Sequence, residues 1–177
     1  MPTPRERGTA LTITAATDTD TRAAGERIGR RLEPGAVLLL RGPLGAGKTT
    51  LAKGIARGLG VRETVTSPTY TIVSDYEGRL PLHHIDLYRI SGSEEYEMLG
   101  LEELFSTDAV CLIEWPERAG GPIPGATATI DIRIAGDGTR LLTAPDTLIS
   151  PDPEASARER PGGTGSGDAP RGRGERA

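Results

Sequence analysis

Apolar side chains along this chain gather in short runs separated by glycine-rich turns, and two periodicities alternate. Ala10–Ile13 alternates briefly and predicts a strand. Thr17–Asp20 then offer N-cap side chains to a helix reaching about Leu32 and closed by Pro34-Gly35. Val37–Arg41 is apolar almost without interruption, as a strand covered on both faces requires. Gly42–Gly47 reads as loop, and Lys48 to about Leu59 as a helix ended by Gly60. Tyr70–Tyr76 and Leu80–Tyr88 alternate around Glu77-Gly78, which predicts an antiparallel hairpin. One or two short acidic helices are predicted within residues 93–105, then a buried strand over Ala109–Trp115. A second hairpin pairs Thr127–Ala135 with Thr139–Thr143 around Gly136-Asp137-Gly138. Strands alternating with helices, with two hairpins added, predict an α/β domain of three layers around a mixed sheet.

The pattern stops well before the chain does. All six aromatics lie between Tyr70 and Trp115, and residues 151–177 contain no aromatic, Leu, Ile, Val or Met. That stretch buries too little apolar surface to offset its ordering entropy, so a disordered tail is expected over 147–177. With residues 1–8 read as a flexible start, 9–146 is left as one ordinary domain.

Composition narrows the function classes. The longest purely aliphatic run is Ala36–Leu40, far short of the roughly 20 residues of a membrane span. Residues 1–20 carry Arg5 and Arg7 without a following apolar stretch, so no secretory signal is expected. A single cysteine, Cys111, allows no internal disulfide and offers no zinc cluster, which fits a cytoplasmic protein. A net charge of −4 argues against a broad electrostatic grip on nucleic acid. Of 21 basic residues only Lys48 and Lys53 are lysine.

One of those two lysines completes a motif. Residues 42–49 read Gly-Pro-Leu-Gly-Ala-Gly-Lys-Thr, a full phosphate-loop match with a strand entering and a helix leaving. Glycines let the backbone turn its N–H groups inward, and the helix N-terminus adds positive potential for phosphates. Lys48 can reach the β and γ phosphates, and the Thr49 hydroxyl can ligate Mg²⁺. This predicts a P-loop NTPase-like domain. Lys53, a turn further on, reads as a solvated helix residue. A GTPase would read guanine with an Asn-bearing loop and orient water with Gln; the chain contains neither residue, so ATP is the expected nucleotide.

A magnesium ion on Thr49 needs a carboxylate at a nearby strand end. Glu114 ends Val110-Cys111-Leu112-Ile113-Glu114, and Asp86 ends Leu82-His83-His84-Ile85-Asp86. Either is also readable as a plain strand terminus, but two beside one phosphate loop suit a metal ligand and a water-orienting partner. Ser67-Pro68-Thr69-Tyr70 taken alone is a turn whose hydroxyls bond their own backbone. His83 and His84 must point to opposite faces of their strand, as core or rim histidines. Cys111 reads as a buried apolar residue. Arg89 reads as a carboxylate partner before a phosphate contact.

Together these segments resemble a known family. Gly42–Thr50 (GPLGAGKTT), Ser67–Tyr70 (SPTY), His84–Arg89 (HIDLYR) and Leu112–Pro116 (LIEWP) follow in the order and spacing of the TsaE family, also called YjeE. The similarity spans about residues 11–143. It implies a small bacterial ATPase, with ATP and Mg²⁺ as cofactors and weak or partner-dependent turnover. The family assists TsaD and TsaB in forming N6-threonylcarbamoyladenosine beside the anticodon of tRNA, and the chain would meet tRNA only through that complex. By resemblance Lys48, Asp86 and Glu114 are the catalytic set, and Thr49 and Glu114 the metal ligands. Leu44, Gly45, Ala46, Gly47, Lys48, Thr49 and Thr50 hold the nucleotide. By the same resemblance Thr21 and Arg140 lie near its base, Trp115 packs at the nucleotide site, and Ser67–Tyr70 acts as a switch-like segment. The acidic stretch Glu94–Asp108 becomes readable as a docking surface as well as a solvated face. Two other readings share the loop. One is a stand-alone small-molecule kinase, for which Leu59–Tyr70 and Arg89–Ala109 are short for a lid and acceptor pocket. The other is a nucleotide-sensing module that differs only in hydrolysis.

Overall fold

Each strand's partner and direction follow from where its apolar side chains can be covered. The computed structural model describes residues 9–105 and 108–149. Its seven strands are β1 (Ala10–Ala15), β2 (Val37–Arg41), β3 (Val73–Tyr76), β4 (Leu82–Asp86), β5 (Val110–Glu114), β6 (Ala128–Ile134) and β7 (Arg140–Pro145). They form one sheet in the order β1-β7-β6-β2-β5-β4-β3. β6, β2, β5 and β4 run parallel, while β1, β7 and β3 are joined antiparallel at the flanks. The unbroken apolar strands β2 and β5 sit side by side at the centre, because only there are both faces covered.

Successive residues of those strands face different layers. Leu38, Leu40, Val110, Leu112 and Leu82 join the cluster under α1 (Asp18–Arg31) and α2 (Lys48–Gly58). Val37, Leu39, Cys111, Ile113 and Ile85 pack on the opposite side against Tyr96 of α3 (Ser93–Met98) and Leu101 of a following 3₁₀ turn. The predicted three-layer α/β fold with a mixed sheet is what these packing faces produce. Helix α1 starts on a capping box in which the Asp20 N–H donates to Thr17 Oγ1 (3.1 Å) and the Thr17 N–H donates to Asp20 Oδ2 (2.9 Å).

Three boundaries differ from the sequence reading. The predicted strand Tyr70–Tyr76 begins only at Val73, because the Ile72 N–H donates to the Pro68 carbonyl (2.7 Å) and Ile72 itself lies at φ 66°. Leu80–Tyr88 contracts to Leu82–Asp86, with the Leu87 N–H donating to the Glu114 carbonyl as the chain turns away. Residues 147–149, read as the start of the tail, instead complete a short helical turn, α4 (Asp146–Ile149), whose Ile149 is buried in the core under α1. Residues 1–8 and 150–177, read as flexible start and tail, lie outside the described residues.

Cys111 is buried as expected and donates to the Leu104 carbonyl at 3.3 Å. Burial, reinforced by the charge of Asp75, pushes its thiol up to about 12. Native protein is therefore expected to leave a thiol reagent at neutral pH essentially unreacted, with one thiol per chain appearing on denaturation; rapid native labelling would contradict the packing.

Candidate nucleotide site

The parallel strands β2, β4 and β5 end at one edge of the sheet, where ligands of open α/β sheets are bound. Register places Leu40, Glu114 and Asp86 in one row across β2, β5 and β4. Alternation turns Glu114, Asp86 and His84 toward α2, on the side of Leu82 and Leu112. The phosphate loop rises from β2 beside that row. Gly45 and Gly47 adopt φ values of 77° and 100°, conformations that point successive backbone N–H groups into one hollow. Gly47 caps α2 without any side-chain hydrogen bond, which leaves the first N–H groups of that helix for an anion.

Lys48 is only 5% exposed. Its Nζ donates to the carbonyls of Gly42 (2.7 Å) and Pro43 (3.0 Å) and lies 3.5 Å above the Trp115 ring centroid. Burial pushes its ammonium below the ordinary lysine value, and the charges of Glu114, Glu117 and Asp86 oppose that shift. Trp115 takes a left-handed conformation (φ 58°) at the turn after β5, and its ring also packs against Tyr88 at 5.0 Å.

The two carboxylates have separate networks. Glu114 receives the Thr49 hydroxyl, which lies 3.0 and 3.1 Å from its two oxygens, and pairs with His84 Nε2 at 2.8 Å. Asp86 Oδ2 accepts from Ser67 Oγ (2.6 Å) and Thr69 Oγ1 (2.8 Å), while its Oδ1 accepts the Tyr88 N–H (3.0 Å). The hydroxyls of the SPTY segment thus bond each other (2.7 Å) and a strand-end carboxylate 19 and 17 residues on. This is a correction to the turn reading of that segment taken in isolation.

The cleft enclosed by these groups measures about 440 Å³ and is lined by Lys48, Thr49, Asp86, Glu114, Trp115 and the loop glycines 45 and 47, among others. That volume falls in the usual range for small-ligand sites. Thr49 and Glu114 supply two hard oxygen ligands in contact, which suits Mg²⁺. Among the described residues no group of three or more His, Cys, Asp or Glu is arranged to hold a metal alone. A cation here would be completed by phosphate oxygens and water, the usual manner of Mg²⁺.

The remaining expected residues divide. Leu44, Thr50 and Arg140 line the cleft. Ala46 shapes the loop with its backbone, and its methyl is fully buried in the core. The Thr21 hydroxyl donates to the Thr17 carbonyl (3.2 Å), and its methyl lies 3.9 Å from where a Cβ on Gly47 would stand, so it supports the loop from beneath. Among the described residues no carboxylate pairs with Arg89; its guanidinium stacks 4.2 Å over the Tyr70 ring. His83 bonds Asp75 at 2.7 Å, away from the cleft. Asp18, read from sequence only as part of the helix cap, also lines the cleft and faces Arg140 at 3.7 Å. Nothing local signals that contact, because β7 brings Arg140 to it.

Comparison with known proteins agrees with these segments. The family model "Threonylcarbamoyl adenosine biosynthesis protein TsaE" matches residues 15–142. A tRNA threonylcarbamoyladenosine biosynthesis protein TsaE from Treponema pallidum is 45% identical over 124 residues, covering 70% of this chain and 92% of that protein. One of the same name from Bacillus subtilis is 45% identical over 125 residues, covering 70% and 78%. Among solved structures, Bacillus subtilis YdiB superposes with a TM-score of 0.67 at 35% identity, over 88% of this chain and 96% of that one.

Proposed function

The chain belongs to the TsaE family, and from that premise we propose that it is an Mg²⁺-dependent ATPase serving the formation of threonylcarbamoyladenosine in tRNA. The observation that carries the proposal is the contact of the Thr49 hydroxyl with both oxygens of Glu114, directly beside Lys48 and the glycine loop. A helix-start hydroxyl touching a strand-end carboxylate is the pair that P-loop enzymes use for magnesium.

Each residue has a task in that reading. The backbone N–H groups of 44–49 bind the phosphate chain. Lys48 exchanges the carbonyls of Gly42 and Pro43 for phosphate oxygens, keeping its charge buried but paired. Thr49 and Glu114 would hold Mg²⁺, whose charge would offset that of the phosphate chain. Asp86 would accept a hydrogen bond from the attacking water at the far end of the phosphates and so orient it. Its bonds to Ser67 and Thr69 couple that carboxylate to the SPTY segment. Tyr70, 82% exposed at the end of that segment, carries the nucleotide state to the surface.

The same reading assigns TsaD and TsaB as partners and a cytoplasmic location. A chain of net charge −4 meets tRNA through those partners. Among the described residues no helix is long and apolar enough to cross a membrane.

Reconstitution tests this. Mixed with TsaD, TsaB, tRNA and the substrates of the modification, the chain is expected to hydrolyse ATP in a Mg²⁺-dependent manner and to support the modified nucleoside. Glu114→Ala should cut hydrolysis about 100-fold or more while leaving Mg²⁺-free nucleotide binding nearly intact, since it removes a contact used chiefly in the reacting complex. Unchanged turnover in that variant would refute the assignment.

A further inference from the structure

Among the described residues, His84 is the one fully buried polar side chain bonded to this site to which the hydrolytic reading gives no task. It lies on β4 opposite Leu112 and reaches diagonally along the parallel register to Glu114, Nε2 to Oε1, at 2.8 Å. On that face it stands between apolar Leu82 and Leu112 on one side and the carboxylates of Asp86 and Glu114 on the other, and an apolar residue would fill the same place without a buried polar ring. We infer that His84 is a positioning residue, whose Nε2–H holds the Glu114 carboxylate in the orientation in which Glu114 and Thr49 take Mg²⁺ together. The inference rests on the nucleotide reading above.

Three observations support it. An ionised carboxylate only accepts, so the shared proton belongs to Nε2. Among the described residues the other ring nitrogen, Nδ1, is buried without a partner, and the ring's polar contact is with Glu114. Among the described residues the other side chain that hydrogen-bonds Glu114 is Thr49, whose hydroxyl would itself be given to the metal in the loaded site. Without His84 the carboxylate is free to turn to Lys48, and a carboxylate paired with an ammonium competes poorly for a cation. Hydrogen bonds of this kind behind a metal ligand usually account for about 10–100-fold in metal affinity.

The test uses the full chain loaded with a non-hydrolysable ATP analogue, with Mn²⁺ as the probe read by electron paramagnetic resonance. His84→Leu, close to histidine in volume, should raise the Mn²⁺ dissociation constant about 10–100-fold, with nucleotide binding in chelator unaltered. His84→Gln, which places an amide N–H where Nε2 stood, should restore most of the loss. Equal Mn²⁺ affinity in His84→Leu overturns the inference, and so does a loss that Gln fails to repair. Should His84→Leu not fold, nitrogen-15 spectroscopy of His83→Gln, which leaves His84 as the single histidine, decides: the Nε2–H tautomer is expected, and Nδ1–H overturns the inference. Wild-type chain that binds no Mn²⁺ with nucleotide would instead overturn the nucleotide reading, and this inference with it.

Discussion

Gly29→Ala is expected to destabilise the fold by about 2 kcal/mol or more, although alanine in a helix interior ordinarily gains about 1 kcal/mol over glycine. The reversal of sign comes from one contact. A Cβ on Gly29 would stand 2.2 Å from the Ile55 carbonyl oxygen and 2.9 Å from Gly58 Cα, all backbone that no rotamer change can move. Helices α1 and α2 meet through four such positions. A Cβ on Gly25 would lie 2.5 Å from the Leu51 oxygen, on Gly54 2.2 Å from the Arg22 oxygen, and on Gly58 2.3 Å from the Glu26 oxygen. Relief requires the helices to part, and parting them opens the packing of Ala24, Ile28, Leu51 and Ile55, all buried between helix and sheet. A thermal melt should fall by roughly 5–10 °C for a domain of this size. Gly121→Ala is the control: its Cβ would meet nothing within 4 Å, and it should melt within a degree or two of the parent. A Gly29→Ala protein as stable as the parent would mean that the two helices are not in backbone contact.

That contact also bears on the site. Helix α2 begins at Lys48 and Thr49, so the glycine seam with α1 fixes the height at which the phosphate loop stands above Glu114 and Asp86. Thr21 of α1, beneath Gly47, makes the same connection at the loop itself.

The parts of this arrangement that were legible in the sequence are those whose chemistry is local. A strand, a glycine loop and a helix that must bind phosphate lie within some twenty consecutive residues, and Thr17 and Asp20 announce their own cap. Glu114 and Asp86 were readable as strand-end acids because an apolar run that ends in a carboxylate breaks the burial rule in a place where function can use it. What was not legible depends on register and on the approach of distant elements. Alternation required one histidine of His83-His84 to face inward, but only the β4–β5 pairing puts His84 against Glu114. The strand expected at Tyr70 failed because a hydrogen bond from Ile72 to Pro68 competes with extension. The Gly25/Gly29 and Gly54/Gly58 pairs, each four apart, carry a signal of close helix contact, yet nothing in the sequence says which helix each pair faces.

Lys48→Ala is expected to weaken ATP binding about 10²–10³-fold. A charge-assisted hydrogen bond contributes about 1.5–3 kcal/mol, and a lysine spanning two phosphates loses roughly 3–4 kcal/mol in all when removed. At about 1.4 kcal/mol per tenfold that gives the stated range. Stability should respond differently. The Lys48 ammonium is buried at a desolvation cost that lowers its proton affinity, and without ligand it is satisfied by two carbonyls and the face of Trp115. Lys48→Met keeps the stem against Trp115 and removes only the charge, so it should lose affinity like Lys48→Ala while melting near the parent temperature. Arginine is no substitute, because a planar guanidinium cannot enter the space between the loop carbonyls and the indole as a point charge. Trp115 is the chain's single tryptophan, and at 3.5 Å from Nζ its fluorescence should report both binding and the loss of the lysine. Calorimetric affinity within threefold of the parent in both variants would show that the loop does not hold phosphate through Lys48, and the burial of that charge would then have no functional cause.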